Sequence, residues 1–152
     1  MFHYVRPKLN DFPYINYFPL EKFQIFLDQN IKRIGIVSAS EYIDLLSLNK
    51  KPPKDSILLT FDDGLIDHYQ WVMPELIKRK LTALFFINSK QYQNKELLLV
   101  HKIHFLSGKN GYRWLESEFN LIKEKFPDIK NYLELNEDAL KAYPYDSEEV
   151  AF

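Results

Sequence analysis

Residues 57–64 read Ile57-Leu58-Leu59-Thr60-Phe61-Asp62-Asp63-Gly64. The first five are nearly all apolar, and two acids and a glycine follow at once. Such a run bounded by turn residues suits a short strand buried on both faces. Inside a regular strand, neighbouring side chains point to opposite faces, so Asp62 and Asp63 would diverge. At the strand's end Gly64 lets the backbone turn sharply, and both carboxylates can then face one pocket. A helical pattern follows to about Lys80, with Ile66, Tyr69, Met73, Leu76 and Ile77 on one side; Pro74 should disturb or restart it. Thr82-Ala83-Leu84-Phe85-Phe86-Ile87 then reads as a second buried strand. Strand, helix and strand joined by short links form a βαβ unit, so the sheet is expected to be at least partly parallel.

Upstream, Phe2 to Val5 reads as a strand closed by Arg6-Pro7. A helix opens at Pro19-Leu20, carries Phe23, Phe26 and Leu27 on one face, and ends at Asn30. Ile34 to Val37 suits another strand, and Ser38 with Glu41 makes a capping box for a helix through Leu48. Beyond Ser89 the pattern is helical: Leu97 to Leu106, a turn at Gly108 to Gly111, then Tyr112 to Phe126 with Trp114, Leu115, Phe119, Ile122 and Phe126 on one side. Leu133 to Tyr143 suits a further short helix. Asp146-Ser147-Glu148-Glu149 has the composition of a helix start, with a capping residue and first-turn acids. The sequence reaches Phe152 about one turn later, too short for a stable helix, so the expectation is either a frayed tail or a natural domain longer than this chain.

The bulk composition narrows the function classes. Of 152 residues, 20 are basic and 21 acidic, which argues against nucleic acid as partner. Cysteine is absent, so a metal would need carboxylate or imidazole ligands. No run is long enough to span a bilayer, and Met1 to Pro7 lacks the features of a secretory signal. The expectation is a soluble cytoplasmic protein.

Two close carboxylates repel unless a cation or a shared proton lies between them. At the C-terminal end of a parallel strand, where α/β folds bind ligands, a divalent metal resolves the conflict. One aspartate ligates the metal, the other stays free as a base, and water becomes acidic enough to attack a carbonyl. Asp-Asp-Gly is also a common turn sequence, and acids after strands often cap the next helix.

Thr60-Phe61-Asp62-Asp63-Gly64 resembles the first motif of the polysaccharide deacetylases, carbohydrate esterases that remove N- or O-acetyl groups from glycans. Met1-Phe2-His3-Tyr4-Val5-Arg6-Pro7 resembles that family's opening strand. Met73-Pro74-Glu75-Leu76-Ile77-Lys78 and Thr82 to Ile87 look like its helix and third strand. The resemblance implies an α/β fold, a partial (β/α) barrel of the polysaccharide deacetylase type with a helical C-terminal segment. Residues 1–89 would be the N-terminal part of the catalytic domain. Residues 90–152 would be a helical insertion cut short. By position, Asp62 would be the catalytic base and Asp63 a ligand to a divalent metal, zinc in the family, with Thr60 and Gly64 as structural supports. The substrate would be an acetylated carbohydrate.

The family's other metal ligands are two histidines four residues apart, with a further histidine near the C-terminus as acid. Here the histidines are His3, His68, His101 and His104. His101 and His104, spaced to share a helix face, are the candidate metal ligands in this sequence. They compete with a reading as hydrogen-bonding or surface histidines, because Val100 to Phe105 resembles a stretch that, in one branch of the family, precedes the metal histidines. His3 would lie at the same strand-end mouth in a supporting role. His68 would sit on a solvated helix face, and Asp67 would be a helix N-terminal acid. Trp71 and Trp114 are either core residues or sugar platforms. No arginine-proline-tyrosine stretch and no C-terminal Leu-x-His follows.

Three functions are consistent with these features. The first is a metal-dependent hydrolase acting on an acetylated glycan. The second is a truncated, inactive domain with at most a glycan- or partner-binding role, self-associating through an open barrel edge. The third, an enzyme of phosphate transfer using the pair for magnesium, is weakened by the absence of a phosphate-cradling loop among 4 glycines.

Overall fold

The computed structural model describes residues 1–52 and 55–128. The helix expected over Leu133 to Tyr143 and the helix start at Asp146 lie outside the described residues. The order of elements is β1 (Val5–Arg6), β2 (Phe18–Pro19), α1 (Leu20–Arg33), β3 (Ile36–Val37), α2 (Ala39–Ser47), β4 (Ile57–Leu58) and β5 (Thr60–Asp62). A π-helical turn (His68–Val72), α3 (Met73–Lys78), β6 (Leu84–Phe86), α4 (Ser89–Asn94), α5 (Leu99–Asn110) and α6 (Tyr112–Lys125) follow.

Every strand pair is parallel: β1 with β2, β3 with β4, and β5 with β6. Phe61 has a neighbour on each side, pairing with Phe85 of β6 and, through an isolated bridge, with Phe2. Phe2 N–H donates to Thr60 O at 2.9 Å, and Asp62 N–H donates to Phe2 O at 3.1 Å. That register carries His3 to the end of β5. The fold is mixed α/β, and the strands do not close into a barrel among the described residues.

The core gathers where β5 is flanked. Val5, Phe23, Leu27, Leu59, Phe61, Val72 and Leu76 form one buried cluster. Each large apolar side chain removed from water there contributes about 1.5–3 kcal/mol. The Phe61 ring stacks between Phe2 and Phe85, with centroids 5.5 and 5.1 Å away. The capping box at Ser38 forms in part: its Oγ accepts from Glu41 N–H at 3.1 Å. Across the α1–α3 contact, Arg79 donates to Asp28 Oδ1 at 2.7 Å and to Glu75.

Three expectations need correction. The helix after the Asp pair does not bury the face carrying Ile66, Tyr69, Met73 and Ile77, all of which are exposed; it buries Asp67, His68, Val72 and Leu76. The cause is the π turn, in which Met73 N–H donates to His68 O, five residues back. The wider turn shifts the phase of every side chain relative to a regular helix. Second, β6 is not buried on both faces: Phe85, Phe86 and Ile87 are exposed. A strand is covered twice only when layers lie on both sides, and among the described residues β6 pairs only with β5. Third, Gly108 is not a turn residue but lies inside α5, and the chain turns at Gly111, where φ is +89°.

Candidate functional site

β5 ends at Asp62, and the chain reverses through two left-handed residues, Asp63 (φ +72°) and Gly64 (φ +58°). Glycine takes this conformation freely; aspartate is one of the few other residues that tolerates it. The reversal does what the sequence required of it. Asp62 and Asp63 line one shallow, open pocket together with Phe86, Ile87 and Asn88. Gln91 of α4 donates to Asp63 O at 3.2 Å and steadies the turn.

The four histidines gather around this turn. His3 Nδ1 lies 3.0 Å from Asp63 Oδ2 in hydrogen-bonding geometry. Its backbone oxygen accepts from His68 Nε2 at 2.8 Å. From the other side, His101 Nε2 lies 3.5 Å from the same Asp63 Oδ2. That contact lacks hydrogen-bond geometry, and His101 Nε2 is a buried nitrogen with no hydrogen-bond partner among the described residues. The Tyr4 hydroxyl is 2.6 Å from His101 Nδ1 and 3.5 Å from His104 Nδ1.

Burial sets the protonation of this group. His101 is 1% exposed, and desolvation holds its imidazole below the ordinary histidine range, outweighing the attraction of Asp63. Desolvation does the same to His68. The Tyr4 phenol is pushed up to about 12, chiefly by burial and further by Asp63 and Asp67, against the pull of Arg6. It therefore stays protonated at neutral pH and can donate a hydrogen bond.

A buried ion pair supports the turn from behind. Arg6 donates to Asp67 through Nε at 2.6 Å and Nη2 at 2.7 Å, and its guanidinium lies 4.8 Å from the Tyr4 ring centroid. A bidentate pair of this kind fixes orientation as well as distance. It ties β1 to the turn that carries the two aspartates.

The structure therefore brings Asp62, Asp63 and His101 of the expected site together. His104 shares a helix face with His101 but reaches Tyr4 and is exposed. His68 is buried instead of solvated, and Asp67 stands at the N-terminal position of the π turn, makes no capping hydrogen bond and pairs with Arg6. The sequence placed His3 at the correct strand end but did not show its bond to Asp63. Tyr4 and Arg6 were missed altogether, although their alternation in the first strand puts them on a common face.

Asp63 and His101 have donor atoms suited to a cation: a carboxylate oxygen faces a buried imidazole nitrogen that has no hydrogen-bond partner among the described residues. Among the described residues, no group of three or more His, Asp or Glu side chains is arranged to hold a metal ion as it stands.

Comparison with known proteins bears directly on this strand-end carboxylate pair. The family profile described as polysaccharide deacetylase matches residues 49–143, a stretch that contains both aspartates and both α5 histidines. The chain belongs to the polysaccharide deacetylase family. A deacetylase-family relative from Bacillus subtilis (strain 168), named "Putative polysaccharide deacetylase YxkH", is 39% identical over 54 residues. The matched stretch is 36% of this chain and spans 19% of that relative's length. No solved structure matches the chain. No helix among the described residues is long and apolar enough to cross a membrane.

Proposed function

We propose that this chain is a metal-dependent hydrolase that removes acetyl groups from a polysaccharide or glycan, acting on a carbon–nitrogen bond other than a peptide bond. The observation that supports it most is the shared pocket of Asp62 and Asp63 at the C-terminal end of β5, with His101 Nε2 opposite Asp63. Asp63 and His101 would hold the cation, zinc by family expectation. When bound, it supplies positive charge that acidifies water and polarises the acetyl carbonyl. No hydrogen bond joins the Asp62 carboxylate to a histidine among the described residues, and Asp62 would act as base. It takes a proton from water as the oxygen attacks the carbonyl carbon, and that proton passes to the leaving nitrogen as the C–N bond breaks, giving acetate and an amine. Phe86 and Ile87, exposed at the pocket's edge, offer an apolar wall for the sugar ring beside the acidic floor. By family expectation, the described strands would be one part of a (β/α) barrel.

Acetate release from N-acetylated oligosaccharides with added zinc, comparing the wild-type chain with Asp62→Asn, tests this assignment. Removing a general base costs about 10²–10⁴-fold in rate. An unchanged rate would remove Asp62 from the mechanism.

A further inference from the structure

Hydrogen bonds on both sides of the reversal lace the first strand to the segment that bears the two aspartates. Before it, Asp62 N–H donates to Phe2 O at 3.1 Å, and Phe2 N–H donates to Thr60 O at 2.9 Å. After it, His68 Nε2 donates to His3 O at 2.8 Å, and Arg6 holds both carboxylate oxygens of Asp67, at 2.6 and 2.7 Å. Residues 63–66 are therefore a short loop whose two ends are fastened to one piece of backbone. At its start Asp63 has φ +72°, in the left-handed region. A residue other than glycine stays there only when the structure around it over-determines the conformation.

Stability alone does not explain the Arg6–Asp67 part of this fastening. Both residues are buried, 5% and 3% exposed. The cost of taking two charges out of water can exceed the energy of their attraction, and packed apolar side chains of similar volume often serve a fold as well or better. Apolar contact is already at hand, since Val5 beside Arg6 and Val72 of the π turn lie in the same buried cluster. Nor does Asp67 cap the turn it opens, because its side chain makes no capping hydrogen bond.

What the pair adds is direction. Apolar surfaces slide on one another, whereas a guanidinium fork that meets both oxygens of a carboxylate fixes distance and plane together. The fork is itself seated, with its carbon 4.8 Å from the Tyr4 ring centroid. His68 reaches β1 through one bond to a backbone oxygen, about which the segment can still rotate; the two parallel bonds of Asp67 prevent that. Asp67 stands at the far end of the loop that starts with Asp63. A rigid anchor there fixes Asp63 from both sides, and with it the meeting of two carboxylates in one pocket.

Resting on the reaction proposed above, we infer that Arg6 and Asp67 are its positioning residues: they hold the Asp62-Asp63 turn in the conformation that keeps both carboxylates in the pocket. Arg6→Lys keeps the charge but loses the fork. In the acetate-release assay it should lower kcat by about 100-fold, the effect of a misplaced catalytic group, with KM within about threefold of the wild-type value. The double variant Arg6→Met/Asp67→Leu separates positioning from support of the fold. Its urea midpoint should return close to that of the wild-type chain, because a packed apolar pair can replace a buried ion pair. Its kcat should stay about 100-fold low, because nothing then directs the loop. Recovery of kcat together with the midpoint would overturn the assignment, as would full turnover in Arg6→Lys or failure of the double variant to fold. The turn can also be followed without turnover, through the ¹³Cα shift and the HN–Hα coupling of Asp63. Both should move in the double variant as φ leaves the left-handed region, and unchanged values would overturn the assignment. A wild-type chain that releases no acetate would overturn the proposed reaction, and the same two signals then decide the hold on the turn by themselves.

Discussion

At the scale of single residues, the side chains around Asp63 differ in what they can tolerate. His68 is buried against the rings of Phe61 and Phe85, gives its Nε2–H to His3 O, and leaves Nδ1 without a hydrogen-bond partner among the described residues. A second proton at Nδ1 would be enclosed with nothing to receive it, and burial accordingly lowers the imidazole's pKa. The unfolded chain takes up a proton near pH 6.5, about the ordinary histidine value, whereas the folded chain resists until the medium is more acidic. Stability is therefore full above that pH and falls on acidification toward the folded value. His101, held neutral by burial, acts in the same direction. In metal-free buffer the urea midpoint should drop between about pH 7.5 and about pH 5.5, and the drop should shrink in His68→Gln, whose amide can still donate to His3 O. An undiminished pH dependence in that variant would place the titrating group elsewhere. The burial of His68 was not legible from its position about one helical turn after the aspartates, because the π turn sets the phase and leaves no local signature. The sharp reversal at Asp62-Asp63-Gly64 was legible, since turn chemistry is local. Even there the glycine drew attention from Asp63, which takes a left-handed conformation itself.

At the scale of elements, β1, β5 and α5 meet through contacts of very different kinds. Gly108 is the point at which α5 accepts the loop before β2. A Cβ there would lie 2.8 Å from Ile15 Cβ and 3.1 Å from Ile15 Cα, so no side chain fits without moving the loop backbone. The same seat is held by a hydrogen bond from Tyr14 N–H to Gly108 O at 2.9 Å and by the tilted rings of Phe12 and Phe105, 5.3 Å apart. Gly108→Ala should destabilise the fold by about 1–3 kcal/mol through overpacking, despite alanine's better helix propensity. Because α5 also carries His101, the substitution should loosen the Tyr4–His101 contact, visible as a changed tyrosine hydroxyl or imidazole resonance. A gain in urea stability would show that the loop yields freely. Sequence periodicity found α1, α2, α5 and α6 to within a few residues, and Ser38 was identified as a cap from its spacing to Glu41. It misplaced Gly108, because glycine inside a helix is explained only by a neighbour more than 90 positions away in the chain, Ile15.

At the scale of the whole molecule, the parallel pairs share a core around Phe61, yet the molecule's apolar surface is unevenly distributed. Phe86 on β6 and Ile87 just after it are 55% and 58% exposed, and Ile66, Tyr69 and Met73 on the segment that follows β5 are exposed as well. A hydrophobic edge strand with exposed flanks promotes association. Phe86→Lys should shift the chain toward a monomer in sedimentation velocity, with little loss of unfolding free energy because the ring is already half in water. A population unchanged by the charge would locate association on another surface, such as the exposed Phe119, Ile122 and Phe126 of α6. The parallel βαβ arrangement was readable from the alternation of apolar runs and helical patterns. The exposure of β6 was not, because a continuous apolar run looks the same whether or not a further layer covers it. The histidine cluster has a last consequence, in the order of synthesis. It draws on His3, Asp63, His101 and His104, so about a hundred residues separate its first member from its last, roughly 5–20 s of translation at about 5–20 residues per second. Until α5 emerges, a nascent chain holds the carboxylate and His3 but not the buried imidazole that faces them. A probe that recognises the assembled cluster would thus report how far each chain has matured on the ribosome.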